Sequence, residues 1–73
     1  MNLNMVETPR SSCVAAVGYD EGTKILGIVF KHGGKYTFTG VPKDLYDGML
    51  KAPSVGKYFH SRIEGHYPFN KVT

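Results

Sequence analysis

The residues with the most chemical potential lie between positions 52 and 62. Ala52-Pro53-Ser54-Val55-Gly56-Lys57-Tyr58-Phe59 reads as the end of one helix and the start of another. Pro53 lacks an amide donor and disfavours helical geometry at Ala52, so a preceding helix stops there. Ser54 is a residue type that caps helices, its hydroxyl accepting from the amide of Gly56 or Lys57. A helix beginning here turns free N–H groups and the positive end of its dipole outward. Gly56 is a poor helix former, and its missing side chain would let a ligand approach the backbone. Lys57 adds a full charge, Arg62 follows along the same side, and Tyr58 supplies a ring. Together, Ser54, Gly56, Lys57, Tyr58 and Arg62 describe an anion site for a phosphate group. The ordinary alternative is a plain helix start in which the glycine relieves crowding.

Charge supports the same region. The chain carries nine Lys and Arg against six Asp and Glu, a formal net charge of +3. No acid stands between Asp47 and Glu64, whereas Lys51, Lys57 and Arg62 all do. This basic character is mild, and a protein that tracks a long phosphate backbone usually carries a denser cationic stripe. A compact phosphorylated ligand needs fewer cations. Tyr36 and Phe38 add rings that could stack on a base, and the Ser11 and Ser12 hydroxyls could reach such a ligand from the start of the first strand.

Catalysis finds weaker support. Cys13 with His32, His60 or His66 makes a nucleophile–base pair only if the fold joins them, and a lone cysteine is more often a small packed residue. No G-x-x-x-x-G-K-[ST] loop occurs, since Gly56-Lys57 is followed by Tyr58. No cysteine–histidine set has zinc spacing, and one cysteine excludes an internal disulfide. The reading is a non-enzyme with no cofactor and no metal.

The elements that must position these residues are few. Seventy-three residues make one small domain with a thin core, for which self-association is a common support, so a homo-oligomer is expected. No apolar run reaches membrane-spanning length and the start lacks a signal-peptide pattern, which predicts no membrane partner and a cytoplasmic protein. Residues 1–9 read as a flexible leader and 10–73 as the domain. Val14 to Tyr19 reads as a strand with small apolar side chains on both faces, which predicts a close neighbour on each side. Ile25 to Phe30 is a second strand and Lys35 to Thr39 a third, with the Gly33-Gly34 turn between them. Pro42 opens a helix over about 43–51 in which Leu45 and Met49, and Tyr46 and Leu50, are four apart. A second helix runs from about Val55 to Glu64, capped by Gly65. The predicted class is α+β: a three-stranded antiparallel meander, then two helices on one face of the sheet.

These pieces resemble the KTSC domain, named for its occurrence at the C-terminus of some lysyl-tRNA synthetases and found otherwise as short bacterial and phage proteins. The resemblance rests on Ser11-Ser12, Val17-Gly18-Tyr19-Asp20, Tyr36-Thr37-Phe38, Val41-Pro42, Tyr46, the segment Ala52 to Phe59, Ile63 and Tyr67. The family's Tyr-x-Tyr is Tyr36-Thr37-Phe38 here, which removes a hydroxyl, and its frequent Asn after Phe59 is His60. The resemblance implies no established catalysis and a suggested link to RNA. In general plan the chain is also similar to phage-encoded sponges that sequester nucleotide immune signals as homo-oligomers, which would place it in the host cytoplasm. The leading expectation is therefore non-enzymatic binding of a small or cyclic nucleotide. An RNA-binding accessory module and a protein-interaction module are the alternatives.

Overall fold

The computed structural model describes residues 4–7 and 13–72. Five strands, β1 (Asn4–Glu7), β2 (Val14–Asp20), β3 (Ile25–Phe30), β4 (Lys35–Thr39) and β5 (Phe69–Lys71), form one sheet. Their spatial order is their chain order, and every neighbouring pair is antiparallel. Helices α1 (Lys43–Lys51) and α2 (Val55–Arg62) lie between β4 and β5 in the chain.

The three central strands and both helices fall where the sequence predicts them, but the sheet has five strands rather than three. The two extra strands are the edges. β1 is four residues and β5 three, too short for alternation to register in sequence, and each exists through pairing with an inner neighbour. β1 uses residues 4–7, which the sequence reads as leader, and lies against β2 with Val6 opposite Val17. β5 begins after Pro68, a residue tolerated at the first position of an edge strand. The Pro68 carbonyl accepts from Thr39, and the Val72 amide donates to Lys35.

Side-chain alternation sends one set of residues toward the helices. Val17, Leu26, Ile28 and Phe38 from the sheet meet Met49 of α1 and Phe59 of α2, with Val14, Val41 and Ile63 closing the cluster. All nine are at most 3% exposed. The four-residue spacings in the helices act as the sequence predicts: Met49 is fully buried with Leu45 and Tyr46 packed against the cluster, and Phe59 and Ile63 are buried on α2. Leu50, the outer member of its pair, is 39% exposed.

Tyr19 ties α1 to the sheet. Its ring stacks on Tyr46, centroids 5.1 Å apart and 15° between planes, and its hydroxyl donates to the Val41 carbonyl at 2.5 Å. Burial raises the Tyr19 phenol above its ordinary pKa, with Glu21, Asp47 and Asp20 adding in the same direction. Tyr46 is raised by burial and then by Asp47. A group whose folded pKa is raised contributes stability that is complete below its unfolded value, near 10, and is lost as pH rises through the folded value. Stability should therefore decline above about pH 10 as these phenols ionise. Tyr19→Phe should cost about 1 kcal/mol at neutral pH and flatten that alkaline decline, read by urea denaturation at pH 7 and pH 10.5. An unchanged slope in the variant would assign the decline to other groups.

Candidate functional site

The predicted helix start is present, and its cap comes from the chain itself. Ser54 is the N-cap of α2, and its hydroxyl accepts from the Lys57 amide at 3.2 Å. This is the cap that the sequence predicts, and it engages the Lys57 amide within the chain. Gly56 is buried. Tyr58 lies across the helix pair, its hydroxyl end over Gly48 of α1, where an added methyl would overlap the hydroxyl and stand 3.1 Å from the ring carbon Cζ. The Arg62 guanidinium sits over the Tyr58 ring, 5.8 Å from its centroid, a cation–π distance. Thus Gly48 and Arg62 explain Tyr58, while the Lys57 side chain remains exposed at the start of α2. Ser11 and Ser12 lie outside the described residues.

The other two predicted residues, Tyr36 and Phe38, belong to a separate feature. A cavity of about 310 Å³ lies between α2 and the β4–β5 side of the sheet. The strand register builds it: Phe38 faces Phe69 and Tyr36 faces Lys71, so all four side chains share the helix-side face. Phe38 is buried, while Tyr36 is half-buried and Phe69 is 59% exposed. Phe69 contacts both other rings, with centroids 5.8 Å from Tyr36 and 5.7 Å from Phe38. From the β3–β4 turn, Phe30 and His32 enter as a parallel stack 5.4 Å apart. Phe59, His60, Glu64 and Gly65 close the helix side.

The turn that carries His32 also places Tyr36. Gly33 has a φ of +111°, and a side chain at Gly34 would stand 2.9 Å from Tyr36 Cε1, so the ring lies down over the glycine backbone. On α2, Phe59 meets Phe30 and Phe38 edge-on, at 5.6 Å and 5.2 Å. His60 Nδ1 and Glu64 Oε1 are 2.9 Å apart, one helical turn from each other. Lys57 is one further turn toward the start of α2, on the same stripe as His60. The pocket is thus aromatic inside and polar at the rim, with Lys57 and Lys71 at its margins.

Sequence reasoning offered Phe59 as a stacking ring but did not find Phe30, His32, His60, Glu64, Gly65 or Phe69 as pocket residues. The i,i+4 spacing of His60 and Glu64 is legible as a helical pair. The role of Phe69 depends on β5, which the sequence did not disclose. Cys13 is half-buried against the core, with its carbonyl accepting from the Lys31 amide. Among the described residues, no group of three or more His, Cys, Asp or Glu is gathered to hold a metal ion, and no helix is long and apolar enough to cross a membrane.

Fold and site together define a small α+β domain with an aromatic pocket between its second helix and its sheet. The chain belongs to the KTSC domain family, whose family model matches residues 10–67. It superposes on the crystal structure of a KTSC domain protein from Yersinia pestis with a TM-score of 0.93 at 28% identity, covering 99% of this chain and all of that one. A lysine–tRNA ligase from Nostoc sp. is 31% identical over 65 residues, which is 89% of this chain but only 12% of the ligase. A protein from Tsukamurella paurometabola is 32% identical over 58 residues, 80% of this chain and 87% of its own length. The same unit is therefore similar both to a short protein and to a small part of a long one.

The Gly48–Tyr58 contact gives a test of how α1 and α2 fit. Gly48→Ala should lower stability by about 1 kcal/mol, the overpacking outweighing the gain in helix propensity. In a Tyr58→Phe background, which removes the overlapping hydroxyl but keeps the ring carbon, the same change should cost clearly less by denaturant titration. Equal costs in both backgrounds would place the strain elsewhere.

Proposed function

We propose that this domain binds a nucleotide without altering it, seating a base in the aromatic pocket and leaving phosphate toward Lys57 and Lys71. The observation that carries this reading is the pocket wall: Phe30, Tyr36, Phe38, Phe59 and Phe69 surround a space at the small end of the ligand-site range. A planar heteroaromatic ring matches such a wall, because its faces can meet rings and its edge can meet the His60–Glu64 pair. Phe69 matters most. A large apolar ring left 59% exposed on an edge strand contributes little to the core, yet it is positioned beside two others.

This reading moves the base to the pocket and keeps the phosphate near the start of α2, through the Lys57 side chain rather than its amide. The His60–Glu64 pair serves as a polar edge for recognition and does no chemistry, so the protein acts by holding its ligand. In a stand-alone cytoplasmic protein, holding a small or cyclic nucleotide amounts to sequestration. A second reading, an RNA-binding accessory module, is favoured by the similarity to a part of the Nostoc lysine–tRNA ligase. The same pocket would then take one base of a single strand.

Calorimetry with cyclic di- and trinucleotides beside a short single-stranded RNA separates the two. Stoichiometric binding of the small nucleotide, recovered unchanged, supports sequestration. Binding only to RNA of several nucleotides, with a steep loss of affinity in salt, supports the accessory role. In either case Phe69→Ala should weaken binding by about 1–3 kcal/mol, the worth of one base–aromatic stack. Lys57→Ala should weaken it by about 1.5 kcal/mol without changing the melting temperature, the scale of a hydrogen bond to a charged group. Full affinity in Phe69→Ala would remove the base from this pocket.

A further inference from the structure

The pocket is walled by aromatic rings but bordered on its helix side by a carboxylate. Glu64 lines it from the turn after α2, where the Glu64 amide donates to the Phe59 carbonyl at 2.9 Å and Gly65 follows with a φ of +82°. This turn fixes the backbone of Glu64 relative to the Phe59 ring. The side chain is anchored as well, because His60 Nδ1 lies 2.9 Å from Glu64 Oε1. A carboxylate has no proton to give, so the imidazole N–H donates and Glu64 accepts. The pair stands at the rim, its side chains 54% and 58% exposed. Among the described residues, His60 is the only donor on this carboxylate, which leaves Oε2 to a ligand. A carboxylate has about four acceptor positions, so Oε1 too can take a second donor.

We propose that Glu64 makes the pocket selective for guanine, a specificity that rests on the nucleotide reading above. The choice follows from hydrogen-bond pattern. A carboxylate presents two acceptors side by side, and the edge that suits it has two adjacent donors. Guanine offers that edge through N1–H and its 2-amino group. Adenine and cytosine set one amino group beside an acceptor nitrogen, and uracil sets one N–H between two carbonyl oxygens. With any of these three, one carboxylate oxygen is left facing an acceptor or nothing. A guanidinium carries the same paired donors, but exposed Lys57 and Lys71 at the pocket margins oppose a cation. The lysines also orient a nucleotide, drawing phosphate toward themselves and away from Glu64. Lys57 stands seven positions before Glu64, two turns or about 10 Å along a helix, a separation that a nucleotide spans from base edge to phosphate. His60 is a positioning residue, acting on the base through Glu64.

Calorimetry with GMP, IMP and AMP at up to millimolar concentration tests this. GMP should bind about tenfold more tightly than AMP, the scale of a hydrogen bond to a charged group at an exposed rim. IMP keeps N1–H but lacks the 2-amino group, and should fall between them. Glu64→Gln puts a donor where the pattern needs an acceptor, and should bring GMP to the level of AMP while the melting curve shows the fold intact. His60→Leu removes the anchor and should shrink the ratio of GMP to AMP affinity, whereas His60→Gln keeps a donor and should retain most of it. Similar affinities for GMP and AMP, or a guanine preference that survives Glu64→Gln, overturn the proposal and leave the pocket a nucleotide site. Failure of all three nucleotides to bind overturns the nucleotide reading and the proposal with it.

Discussion

Phe59 is the contact on which the rest of this structure depends. It projects from the middle of a helix of only eight residues, too short to be stable by itself in water. Its ring meets Phe30 and Phe38 edge-on from two strands, a favoured aromatic arrangement that also buries the ring to 1% exposure. With Ile63 on the same side, this contact sets the distance of α2 from the sheet. The aromatic pocket is what that distance leaves open beyond Phe59, with His60 and Glu64 on the helix side and Phe69 at the edge of the sheet on the other. Position of helix and existence of pocket are thus one geometric fact.

The same economy governs the helix junction. Pro53 forces Ala52 into extended backbone, and Ser54 then caps α2 through the Lys57 amide. Gly48 lets Tyr58 lie across α1, and Arg62 lies over the ring. Every one of these residue types suits an anion site, and in the folded chain each is engaged in joining two short helices. The motif resembles a ligand cradle because both uses call on the same physics: donors at a helix start, a glycine for close approach, and a cation near an aromatic face.

Much of the fold was legible because it is written in local pattern. Alternation in Ile25 to Phe30 and the four-residue spacings of Leu45 with Met49 and Val55 with Phe59 each identify an element and its buried side. The edge strands were not legible, since three or four residues hold too little pattern and owe their form to a neighbour distant in sequence. The candidate site suffered more from this than the core did. Tyr36 and Phe38 were recognisable as rings on one face of a strand, but their partner Phe69 enters only through β5. Conversely, the capping role of Ser54 was plain from sequence, while the engagement of Tyr58 with Gly48 required knowing how the two helices cross.

The position of β5 in the chain carries a further consequence. The other strand pairs join neighbours in sequence through short connections, whereas β4 and β5 enclose both helices between them. The final pairing of that long excursion is made by a three-residue strand and one exposed ring, a small return beyond what the helices already bury. The order of assembly follows: the meander forms locally and early, and the wall bearing Phe69 arrives last. A three-residue edge strand whose side chains are all exposed has the features of the low-stability end of a domain, and its local opening would widen the pocket while leaving the buried core in place.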